Sequence, residues 1–151
     1  MEQEKAKLDY YAEQQCSMQW RGFLGALADE MNEQLPVEDL RSLWRRIGER
    51  FAARAPLGDC QTIEDLQAAI NTVWVRLGWG WASIGDQGDA LTISHFCAPL
   101  RHAFGPDSAN WSAAYLEGVY QTWFSALGVD ASLRVRQVSD DLDNLVFRLA
   151  R

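Results

Sequence analysis

Cysteine is scarce and scattered: Cys16, Cys60 and Cys97 are odd in number, and no C-x-x-C pair occurs. A disulfide framework is thereby excluded, and neither His95 nor His102 stands at ligand spacing to a thiol. Isolated thiols in or near the core of a protein from a reducing compartment are expected, ahead of a zinc or redox site. No run approaches the ~20 apolar residues that span a bilayer, so membrane insertion is not expected. The N-terminus is crowded with charges (Glu2, Glu4, Lys5, Lys7, Asp9, Glu13) and lacks a continuous apolar segment, so it is no secretory signal. A cytoplasmic location is the resulting expectation, unless another protein or pathway exports the chain. Basic charge is in deficit, with 14 Lys and Arg against 21 Asp and Glu, a net charge of −7. Such a surface repels nucleic-acid backbones and anionic membranes unless its basic residues cluster.

What is present is an ordinary globular composition, 48% hydrophobic over 151 residues, with seven tryptophans. The length suits one domain, 1–151, with the polar stretch 1–7 expected to fray. Tryptophan offers large apolar area with one polar handle, which suits cores, subunit interfaces and flat sugar rings alike.

Apolar residues recur at helical spacing over 8–32, with Trp20, Phe23, Leu24, Leu27 and Met31 on one face. Pro36 opens a second helix, Val37–Arg54, whose acidic start and basic end complement the helix dipole. The five arginines of this helix, Arg45, Arg46, Arg50 and Arg54 among them, read as a solvated face or as a site for an anion or acidic partner. Thr62 with Asp65 predicts the start of a third helix, Ile63–Leu77, closed by Gly78. The period then changes. Strands are expected at 79–84 and 90–96 around a turn at 86–89, making one antiparallel hairpin. After an irregular link from Pro99 to Pro106, Asn110 is placed to cap a helix over 111–127. Alternation at 132–138 and Leu145–Ala150 predicts a second hairpin, with Asp140, Asp141, Asp143 and Asn144 at its turn. The fold class is therefore α+β: N-terminal helices, then two antiparallel hairpins separated by a long central helix.

Catalysis finds little support. Gly78-Trp79-Gly80-Trp81 lacks the third glycine and the following helix of a dinucleotide loop, and no Walker-type phosphate loop exists. The Asp140–Asn144 run lacks the glycine and the bidentate glutamate of a calcium loop. No nucleophile elbow supports a Ser-His-Asp triad. No catalytic residue, metal ligand or cofactor site is assigned. His95, on the side of Leu91 and Ile93, reads as a hydrogen-bonded, semi-buried histidine ahead of a catalytic base. Glu117 lies inside the apolar helix 111–127 and has three readings: solvent-facing, paired with an arginine within the fold or across a subunit boundary, or a catalytic acid. That helix is apolar around more than one side, so it is buried centrally or shared with another subunit.

Two segments carry a resemblance to a known family. One is Cys60-Gln61-Thr62-Ile63-Glu64-Asp65-Leu66-Gln67, continuing through Leu77-Gly78-Trp79-Gly80. The other is the block Trp111 to Trp123, containing Leu116-Glu117-Gly118-Val119-Tyr120. Both resemble the D-subunit family of bacterial cellulose synthase. A weaker match from Phe23-Leu24 to Gly48 agrees in order, and the whole covers about residues 20–150. The resemblance implies a non-enzymatic accessory subunit of cellulose biosynthesis and secretion in biofilm-forming bacteria. Such subunits form dimers assembled into an octameric ring, and they promote ordered export and crystallisation of glucan chains. They are described both as periplasmic channel proteins and as intracellular scaffolds working with a proline-rich operon partner and the synthase complex. The oligomer interface is then expected on Trp20, Phe23, Leu116, Glu117, Tyr120 and Trp123. The alternative, a module contacting β-1,4-glucan directly, would stack sugar rings on Trp79 and Trp81.

Overall fold

A computed structural model describes residues 1–139, 141–143 and 145–151. Asp140 and Asn144, two members of the expected acidic turn, lie outside the described residues. The described elements are α1 (Glu2–Gln15), α2 (Met18–Gln34), α3 (Val37–Arg54), α4 (Ile63–Leu77), β1 (Trp81–Asp86), β2 (Leu91–Phe96), α5 (Leu100–Phe104), α6 (Ala114–Ala126), β3 (Arg134–Gln137) and β4 (Leu145–Ala150). A single 3-10 turn, Pro106–Ser108, links α5 to α6.

The class is α+β, with the two hairpins fused into one antiparallel sheet of order β1-β2-β4-β3. The joining pair is β2 with β4, Ile93 opposite Phe147 and His95 opposite Leu145. Helices α3 and α4 occupy the expected residues. Thr62 Oγ1 accepts from the Asp65 N–H at 3.0 Å, and Gly78 closes α4 in the left-handed conformation at φ 72°.

The long first helix is instead two. Cys16 is extended, and Ser17 starts α2 by accepting from the Gln19 N–H at 3.3 Å. Arg21 braces the break, its Nη2 donating to the carbonyls of Glu13 at 2.6 Å and Cys16 at 3.0 Å. The helix expected from 111 begins at Ala114, and Asn110 does not cap it. The preceding turn is closed by backbone bonds from Trp111 and Ser112 to the Ser108 carbonyl. The Trp111 indole is drawn into the core, donating to Asn32 Oδ1 at 2.7 Å.

The core is organised around α6. Every residue from Ala114 to Tyr120 is buried, followed by Trp123 and Phe124. One side of α6 lies on α3, and the other meets the inner face of the sheet, where Tyr120 packs 5.7 Å from Phe147. The α3–α6 crossing is closer than side chains would allow. A Cβ on Gly48 would stand 2.0 Å from the Tyr115 carbonyl oxygen, and one on Gly118 would stand 2.0 Å from that of Arg45. The two glycines bring backbone against backbone.

Both sheet edges are closed by side-chain amides. On β1, Asn71 of α4 accepts from the Ala82 N–H at 2.7 Å and donates to the Ala82 carbonyl at 2.9 Å, while Gln67 accepts from Ile84 at 2.8 Å. On β3, Gln121 of α6 accepts from the Val135 N–H at 2.8 Å and donates to the Leu133 carbonyl at 3.2 Å. Each amide stands where the peptide group of a further strand would be.

Gly48→Ala or Gly118→Ala should force the helices apart and cost about 2–3 kcal/mol, the upper range for overpacking. Chemical denaturation checks this; a midpoint unchanged in either variant would show that the crossing is not backbone-limited.

Candidate functional site: a charged cleft, a buried polar relay and an exposed aromatic face

Glu117 is buried and paired within the chain, which replaces the solvent-facing reading. It projects from α6 toward α3, where Arg41 Nη2 donates to one carboxylate oxygen and Arg45 Nη2 lies 3.4 Å from the other. Arg41 also donates to the Asn110 carbonyl at 3.0 Å. Successive turns of α3 present the two guanidiniums along one row, which the Gly48–Gly118 contact sets directly against α6. Both acceptor oxygens are thereby occupied at the floor of a cleft of about 480 Å³ between α3, α6 and β3. Arg41, Arg45, Glu49, Glu117, Arg134 and Arg136 line it, with Gln121 at its edge.

His95 is buried in a relay whose hydrogens are set by the chemistry of its ends. The Trp79 carbonyl, 2.7 Å from Nε2, can only accept, so Nε2 carries the hydrogen. Nδ1, 2.6 Å from the Tyr120 hydroxyl, then accepts, and the same hydroxyl oxygen accepts from Trp74 Nε1 at 3.1 Å. Burial pushes the His95 pKa down to about 4, against a smaller upward pull from the Trp79 carbonyl. Burial also holds the Tyr115 and Tyr120 hydroxyls above the usual phenol range. A neutral imidazole with both nitrogens engaged is a structural group and is not poised to take a substrate's proton.

The six residues expected at an interface separate into two sets. Leu116, Glu117, Tyr120 and Trp123 are enclosed by the chain itself; Trp123 Nε1 donates to the Ala55 carbonyl at 2.8 Å. Trp20 and Phe23 are 56% and 58% exposed, ring centroids 6.0 Å apart. They share α2 with exposed Met18 and Leu27, and α1, which buries no residue, adds Leu8, Tyr10 and Tyr11. Leu8 and Tyr11 line the grooves beside Trp81, so the aromatic display of α2 centres on the Trp20–Phe23 pair.

The two residues expected to meet glucan also differ. Trp79 is wedged between Trp74 and Tyr115, at 5.7 and 5.3 Å. Trp81 is 43% exposed, stacked on Phe96 at 5.4 Å, and faces a groove of about 280 Å³ beneath α1. All three cysteines are free thiols, Cys16 buried and the others half-buried. Among the described residues no three His, Cys, Asp or Glu side chains gather as a metal site, and no helix is long and apolar enough to cross a membrane.

The family profile of the cellulose synthase D subunit matches residues 6–150. The chain belongs to that family. Two relatives named cellulose synthase operon protein D, from Komagataeibacter xylinus and Komagataeibacter sucrofermentans, are each 30% identical over 106 residues. Another from Komagataeibacter xylinus is 31% identical, and each alignment covers 69% of this chain and 68% of the relative.

In this member of the cellulose synthase D family, sequence reasoning missed the arginine partners of Glu117, the cleft arginines Arg134 and Arg136 on β3, and the edge-closing Gln67, Asn71 and Gln121. One signal was available: a single carboxylate in an apolar helix, in a chain whose other amphipathic helix carries five arginines.

Glu117→Gln leaves two guanidiniums facing a neutral amide and should cost about 2–4 kcal/mol, at or below the usual loss for a broken buried pair because both arginines reach solvent. An unchanged denaturation midpoint would refute this. His95 has a folded-state pKa below its ordinary 6.5, so the unfolded chain binds the extra proton between the two values. Its contribution is full above pH 6.5 and is lost as pH falls toward about 4, a total of about 3 kcal/mol. Denaturation series between pH 7.5 and 4 should show this slope in the wild type and a flatter one in His95→Gln.

Proposed function

We propose that this protein is a non-catalytic scaffold subunit of the bacterial cellulose synthesis and secretion system. In this reading it assembles with copies of itself as dimers built into an octameric ring. The ring organises synthase complexes, together with a proline-rich operon partner, so that glucan chains leave in order and crystallise. The observation that carries the reading is the uncovered Trp20–Phe23 pair on α2. Burying Trp20 and Phe23 alone would contribute several kcal/mol per copy at about 25 cal/mol per Å². Family membership supplies the cellulose context, and the commitment of Glu117 and His95 to internal partners supports a role without bond-making.

Trp20 and Phe23 form the contact between copies in this proposal. Leu116, Glu117, Tyr120 and Trp123 serve the core instead, holding α6 in place. The second reading, direct contact with β-1,4-glucan, is favoured by Trp81 alone, whose exposed indole overlooks the groove beneath α1.

Light scattering tests the assembly. Trp20→Ala with Phe23→Ala should lower the particle mass by at least half while leaving the folded circular-dichroism spectrum unchanged. A variant that keeps the wild-type mass counts against these residues, and a wild type that stays a single copy at millimolar concentration ends the scaffold reading. Titration with cello-oligosaccharides should give no saturable change in tryptophan fluorescence; a saturable change abolished by Trp81→Ala would establish the second reading instead.

A further inference from the structure

Two unpaired patches of opposite sign lie on this one chain, and each is arranged against itself. The first is the outer wall of the cleft. Arg134 and Arg136 project from edge strand β3, and the β3–β4 register sets Arg136 directly opposite Arg148. Like charges facing across an antiparallel pair repel. Among the described residues neither Arg134 nor Arg136 makes an ion pair, and the cleft's buried carboxylate is held by Arg41 and Arg45.

The second patch is the end of α2. Asp29, Glu30 and Glu33 are exposed, and none makes an ion pair among the described residues. Their spacing, i to i+3 and i to i+4, sets like charges on neighbouring turns. They also sit in the last two turns, where the helix dipole is already negative, with no basic residue in the final turn. Each patch destabilises the isolated chain, and each would be relieved by the other.

We propose that the arginine cleft receives the acidic end of α2 from a second copy of this chain. The spacing of the charges favours a protein segment over a compact phosphate. Arg134 and Arg136 are separated by about 6.6 Å of strand, and Glu30 and Glu33 stand about one helical turn of 5.4 Å apart. Singly charged carboxylates at that spacing can meet the two free guanidiniums one by one. Guanidinium forks suit carboxylates in pairs. Because donor and acceptor patches differ, the contact is head-to-tail, the type that generates rings when its rotation closes and open lines when it does not. The proposal rests on the scaffold reading for self-assembly and adds to it a second, electrostatic contact distinct from the aromatic face.

Charge reversal tests it. The variant Arg134→Glu/Arg136→Glu and the variant Asp29→Lys/Glu30→Lys/Glu33→Lys should each weaken assembly about tenfold or more in sedimentation equilibrium at 0.1 M salt. A chain carrying all five changes should regain it, since the complementarity is restored with sign inverted. Raising salt to 0.5 M should weaken the wild-type contact through screening. Thermal melts monitored by circular dichroism check folding, and Arg134→Gln/Arg136→Gln serves where the reversed variant does not fold. A wild type that assembles while both sets leave its mass unchanged overturns this proposal alone, as does failure of the five-fold variant to recover. A wild type that is a single copy overturns the scaffold reading with it. Inorganic pyrophosphate is the remaining arm: saturable binding lost in Arg134→Gln/Arg136→Gln, with assembly intact, would give the cleft to a phosphorylated small molecule and overturn the proposal.

Discussion

The close crossing of α3 on α6 governs the molecule. Two glycines, one on each helix, let carbonyl groups approach the opposing backbone at distances no side chain would permit. That approach fixes the phase of each helix relative to the other, so the arginine row of α3 arrives over the one carboxylate of α6. It also determines which side of α6 remains for the sheet. The ion pair is therefore a consequence of the crossing and also its lock. Guanidiniums reaching partly into solvent keep much of their hydration, which lowers the desolvation cost that fully buried pairs incur.

On the far side of α6 the protein solves a different problem. Seven tryptophans and their aromatic neighbours supply ample apolar area, but indoles and phenols bring polar atoms that must be satisfied when buried. For Trp74, Tyr120 and His95 a short relay does this: Trp74 donates to Tyr120, Tyr120 to His95, and His95 to the Trp79 carbonyl. The relay joins α4, α6, β2 and the segment before β1, so its geometry is specific where a purely apolar core would tolerate slippage. Burial, which withholds water from a charged imidazole, depresses the His95 pKa and keeps the ring neutral for that role.

Much of this was readable along the chain, and the boundary of legibility follows the range of the interactions. Helices α3 and α4 are bounded by local signals, Pro36 at one start, Thr62 with Asp65 at the other, and Gly78 at the close of α4. The break at Cys16 escaped because apolar spacing continues across it and Ser17 is a single cap. Asn110 misled because Trp111 is claimed by the core, which delays the helix by three residues. The fusion of two hairpins through β2 and β4 depends on pairing between residues fifty or more apart, which no local pattern encodes. The burial of α6 on all sides was legible; that the same chain fills every side was not, because apolar periodicity does not name its partner. Glu117 is the same case in electrostatic form, its partners lying 72 and 76 positions away.

The amides that close β1 and β3 have an effect beyond the fold. An open sheet margin invites any passing strand, and a protein that gathers many copies in a small volume would be especially exposed to runaway cross-β growth. With Asn71, Gln67 and Gln121 occupying those positions, strand addition must first evict a hydrogen-bonded side chain. Any association is then left to helices and charged surfaces, whose contacts can saturate. The plugs thus guard the sheet against edge-to-edge growth.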